Sequence, residues 1–105
     1  MKYYINRLKN KVCEKQLKEK TWESFWAMYD FFINECESEA NEMSLNSRES
    51  VQAEFHGFSY ELSSDNVGII KSEIRIMNTS FWYLGYYQAI FNENGEMQDD
   101  FLAFE

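Results

Sequence analysis

The sequence predicts an α+β fold, with two N-terminal helices packed on a four-stranded antiparallel sheet, and three features of the chain point to it. Apolar residues recur at helical spacing through the first third of the chain. From Phe58 to Ile76 they alternate with polar ones, and between Phe81 and Phe91 both alternating registers are apolar or aromatic. Helices followed by consecutive strands, with short polar turns between them and no proline, give one sheet with helices on one face.

Between Tyr4 and Leu17, Ile5, Leu8 and Val12 sit near helical spacing among Lys and Glu, which predicts a surface helix with a modest apolar stripe. Thr21 is a candidate N-cap for a stronger helix, in which Trp22, Phe25, Trp26, Tyr29, Phe32, Ile33 and Cys36 share one face and the pattern extends toward Glu42 or Met43. Its opposite face carries Glu23, Asp30, Asn34, Glu35 and Glu37. The polar stretch from residue 44 to 50 reads as a connector with one helical turn.

Phe58, Tyr60 and Leu62 form the inward register of a first strand, and Ile70, Ile74 and Ile76, with Ser72, that of a second. Ser63, Ser64, Asp65, Asn66 and Gly68 supply the turn between them, and Asn78, Thr79 and Ser80 the next. The run from Phe81 to Phe91 is the central strand. Within it Trp82, Leu84, Tyr86 and Ile90 take one register, and Phe81, Tyr83, Tyr87 and Phe91 the other. The Asn94-Gly95 pair then turns the chain into a last strand containing Phe101, Leu102, Ala103 and Phe104.

A chain of 105 residues is the size of a single domain, here spanning residues 1–105. Three Trp, seven Tyr and nine Phe exceed what so small a core can enclose, so several aromatics are expected at the surface, where they often mark binding sites. Charge is uneven. Residues 1 to 20 carry seven basic groups and two acidic ones, whereas from Thr21 onward sixteen acidic groups stand against Arg48, Lys71 and Arg75 alone, a net of −13. Such a body repels nucleic-acid phosphates and attracts basic proteins. No apolar run approaches the roughly 18 residues of a membrane span, and the basic start leads into no signal-peptide core, so a cytoplasmic protein is expected.

No catalytic, cofactor-binding or metal-binding set stands out. Cys13 and Cys36 form no CxxC, and Cys36 continues an apolar stripe as a small hydrophobe would. His56 is the only histidine, and a nucleophilic pair with either cysteine has no activating context. The carboxylates at Glu35, Glu37, Glu39 and Glu42, and again at Glu93, Glu96, Asp99 and Asp100, lack calcium-loop spacing. They read instead as arrays that mimic a phosphate backbone for a basic protein surface. Gly85 marks a bulge or close approach that lets Tyr83 or Tyr87 project toward a partner.

The ending YLGYYQAIFNENGEMQDDFLAFE, with the small size, acidity and free cysteines, resembles the immunity proteins that bacteria pair with polymorphic or contact-dependent toxins. The order of helices and strands is also compatible with the cone-shaped fold of nuclear-transport-factor type that some of these proteins resemble. The resemblance implies a non-enzymatic inhibitor that binds a cognate toxin, often a basic nuclease domain. The partner-binding residues expected from the chain are Glu35, Glu37, Glu39, Glu42, Tyr83, Tyr87, Glu93, Glu96, Asp99 and Asp100. Two alternatives stay open: a small-molecule binder or enzyme with an aromatic pocket in the same cone-shaped architecture, and a homodimer that buries its excess aromatics against itself.

Overall fold

A computed structural model describes residues 14–62 and 64–105. A long helix α1 (Glu14–Glu35) and a short helix α2 (Glu37–Glu42) precede a four-stranded antiparallel sheet. Its strands are β1 (Gln52–Leu62), β2 (Gly68–Met77), β3 (Tyr83–Asn92) and β4 (Met97–Phe104), and strand order follows chain order. The helix expected over Tyr4 to Leu17 lies mostly outside the described residues.

The apolar stripe of α1 starts one turn earlier than Thr21. Leu17, Thr21, Phe25 and Tyr29, spaced by four, are all fully buried, so Thr21 is an interior helical residue and not an N-cap. Its hydroxyl is satisfied within the helix, where Oγ1 donates to the Leu17 carbonyl at 2.7 Å. The helix breaks at Cys36 and restarts as α2, so the stripe does not run unbroken to Glu42. The last turn of α1 has no basic residue to complement its carbonyl end, and the carboxylates of Glu35, Glu37, Glu39 and Glu42 crowd the same region.

On β2 the residues alternate in burial as the period-two pattern requires: Ile70, Ser72, Ile74 and Ile76 are buried under α1, and Lys71, Glu73 and Arg75 face the other way. On β3, Gly85, Tyr87, Ala89 and Phe91 point to the helix. Thr21 and Ser72 join helix to sheet through a buried hydroxyl pair at 2.6 Å. The Phe25 ring meets the Tyr87 ring at 5.6 Å, and Phe32 meets Phe104 at 4.8 Å. Phe25, Tyr29, Tyr87 and Phe91 thus fill the space between helix and sheet.

Three bulges, the third in β4 where Ile90 pairs with Asp99 and Phe91 with Met97, reset the register in ways that alternation alone does not predict. In β1 the pairing steps from Phe55 to Gly57, leaving His56 as the extra residue, so Phe55 and Phe58 both lie over the core. In β3, Met77 pairs with Tyr83 and Ile76 with Gly85, so Leu84 is extra. Tyr83 and Tyr87, placed in one register by counting, therefore lie on opposite faces. A side chain at Gly85 would sit 2.0 Å from the Ala103 carbonyl oxygen, which explains glycine there.

Candidate partner-binding surface

The helices cover one face of the sheet among the described residues, and the candidate surface lies on the other face and its rim. Tyr87 does not belong to it. Its ring is fully buried, and its hydroxyl donates to Asp100 at 2.7 Å. Burial, followed by the Asp100 carboxylate, pushes the phenol well above its ordinary range, so it stays protonated. Tyr87 is withdrawn as a contact residue, and half-buried Asp100 acts in part as its acceptor. Asp99 projects from the opposite side of β4 and is exposed.

The carboxylates do not converge on one spot. Lys20 in α1 donates to the Gly95 carbonyl at 2.9 Å, which places Glu93 and Glu96 beside the first half of the helix. Glu35 to Glu42 lie beyond its far end, roughly 20 Å further along at 1.5 Å per residue. Glu35, Glu37, Glu39, Glu42 and Glu96 are exposed and Glu93 is half-buried, so negative charge is spread over both ends of the molecule.

Most of the exposed aromatics lie together, Phe31 on α1 excepted. Phe81 is 69% exposed, Trp82 72% and Tyr83 47%, all at the β2–β3 corner, with Phe101 at 37% on the open face of β4. The Tyr83 hydroxyl donates to Glu105 at 2.8 Å, and this bond, more than burial, raises its pKa. The Arg75 guanidinium lies 5.7 Å from the Tyr83 ring centre, and Tyr86 packs edge-on against Phe101 at 6.0 Å. These residues make an aromatic end to the open face, edged by the Glu105 carboxylate.

The corner itself is tightly hydrogen-bonded. Asn78 N–H donates to the Trp82 carbonyl at 2.9 Å, Phe81 N–H donates to the Asn78 carbonyl at 2.9 Å, and Asn78 Oδ1 accepts from Ser80 N–H at 2.9 Å and Trp82 N–H at 3.0 Å. Sequence reading placed Phe81 and Trp82 in the strand. They stand instead in the loop, and Asn78, whose side chain locks an Asx-type turn, was the available signal.

A cleft of about 160 Å³ opens on the same face at the β1 bulge, lined by His56, Ser59, Lys71, Glu73 and Gln88 among others. Its His56, Lys71 and Glu73 side chains already have partners, His56 Nδ1 lying 3.3 Å from Glu73 Oε2 and Lys71 Nζ 3.1 Å from Glu61 Oε2. Cys36 sits at the end of α1, on the covered side, so it does not pair with His56; Cys13 lies outside the described residues. Among the described residues no three metal-ligating side chains gather, and no helix is long and apolar enough to cross a membrane. The chain matches no protein-family model, no curated protein and no solved structure in comparisons with each.

Proposed function

We propose that the chain is an immunity-type inhibitor that binds a basic toxin domain, of nuclease class, inside the cell that makes it and blocks its substrate cleft. The observation that supports this reading is the imbalance of charge on a folded body with exposed aromatics. All eighteen acidic residues lie at or after Glu14, against six Lys and Arg, and of those six Arg48 and Lys71 are engaged by Asp30 and Glu61. A field of one sign draws a basic enzyme toward the surface, and desolvated aromatic contacts then hold it. The filled space between helix and sheet favours this reading over a ligand-binding pocket.

The test is co-expression with the C-terminal domain of the toxin encoded immediately upstream, followed by co-purification at low and at high salt and assay of the partner's nuclease activity. The expected result is a complex that weakens as salt rises and lacks nuclease activity. A toxin that stays unbound and active in its presence refutes the proposal.

A further inference from the structure

The two hairpin corners of the sheet share one backbone template. In the β3–β4 corner Asn92 takes the part of Asn78: its N–H donates to the Glu96 carbonyl at 2.9 Å, Gly95 N–H donates to the Asn92 carbonyl at 3.0 Å, and Asn92 Oδ1 accepts from Asn94 N–H at 2.9 Å and Glu96 N–H at 3.0 Å. Each corner is followed by a bulge at the equivalent step, between Ile90 and Phe91 as between Ile76 and Met77. Both templates need one residue in the left-handed region. In one corner it is Gly95 at φ 81°, and in the other it is Phe81 at φ 64°.

A bulky aromatic is among the least suitable residues for that conformation, and glycine among the best. Phe81 gains little in exchange within the fold, since most of its surface faces water, and the same is true of its neighbour Trp82. Strain kept at a rigid, exposed position points to a role outside the fold. We infer that the Phe81–Trp82 tip is the anchor of the partner contact, inserting its two rings into an apolar recess beside a cationic surface of the toxin domain.

The occupant follows from charge. At the corner itself Glu105 and Arg75 both lie against Tyr83 and offset each other, whereas the whole chain carries a net charge of −8, which opposes a second copy and favours a basic protein. The corner's hydrogen bonds fix the backbone that carries the two rings before binding, so little backbone ordering cost remains at association. This inference rests on the proposed inhibitor function and names the contact through which it acts.

The test measures the affinity of wild type, Phe81→Gly, Trp82→Ala and Phe31→Ala for the purified upstream toxin domain, with a urea midpoint for each variant. Phe31 is 64% exposed on α1 and serves as a control for loss of an exposed ring. Phe81→Gly is expected to hold or raise the urea midpoint while weakening binding, and Trp82→Ala to weaken binding by roughly thirty-fold or more. Phe31→Ala is expected to bind within about two-fold of wild type, as residues outside a hot spot do. Failure of wild type to bind refutes the inhibitor reading itself. Binding by wild type that Phe81→Gly and Trp82→Ala leave within about three-fold overturns the anchor alone. A lowered midpoint in Phe81→Gly, or self-association that Trp82→Ala abolishes, also overturns it.

Discussion

Thr21 and Ser72 are two small hydroxyl residues at the centre of an otherwise apolar interface, and their burial works because of a relay. Thr21 Oγ1 donates to the Leu17 carbonyl, which leaves it free to accept from Ser72 Oγ at 2.6 Å. Removing Thr21 alone strands the Ser72 hydroxyl in a fully buried site. Thr21→Val is therefore expected to cost about 1–3 kcal/mol in urea unfolding, and Ser72→Ala less, because Thr21 keeps its bond to Leu17. The double variant is expected to lose less than the two single losses added together. Ser72 was legible as an inward residue from its place among isoleucines, whereas Thr21 was not, since a threonine before an apolar run reads as a cap unless its partner across the interface is known. Tyr87 failed for a related reason: alternation gives the face of a residue only until a bulge intervenes.

The elements are joined at their ends by contacts of a different kind. Arg48, in the 3₁₀ turn before β1, makes a two-pronged bond to Asp30 of α1 at 3.1 and 2.7 Å and lies 4.9 Å from the Trp26 ring. The Tyr29 hydroxyl donates to the Ser47 carbonyl at 2.6 Å, fastening the same turn to the same helix. Chiefly through its hydrogen bonds, Arg48 holds the Asp30 carboxyl below its ordinary value of 3.8. The pair's contribution is thus complete above that unfolded value and is lost as pH falls through the lower folded one. Asp30→Asn is expected to unfold at slightly lower urea than wild type at neutral pH, with the gap closing on acidification. Because both partners are largely exposed, the effect is small. The main helix, the four strands and their order were readable from periodicity and turn residues. The break at Cys36, the bulges at His56 and Leu84, and the Arg48 clasp were not, because each depends on which groups meet across the fold.

At the scale of the molecule, carboxylates lie at both ends of α1, and its far end, where Phe32 meets Phe104, is also the end of the sheet that carries the exposed aromatic corner, so attraction and grip come from different side chains. The sequence showed both ingredients, the acid excess and the aromatic surplus, but not their arrangement. Long-range steering and short-range packing act on different rate constants. In stopped-flow measurements the association rate with the toxin domain is expected to fall steeply as ionic strength rises, while the dissociation rate changes little.

The matching of strand order to chain order also sets the route by which the chain folds. Each sheet pairing closes a hairpin with only a short connection, whereas the helix reaches the sheet through contacts between residues far apart, 51 positions for Thr21 to Ser72 and 75 for Lys20 to Gly95. Closing long loops costs more chain entropy than closing short ones, which favours hairpins forming first and the helix docking late. A chain that folds in that order exposes the face bearing Ile70, Ile74, Ile76 and Phe91 until the helix closes over it, and its acidic excess then opposes the pairing of two such molecules.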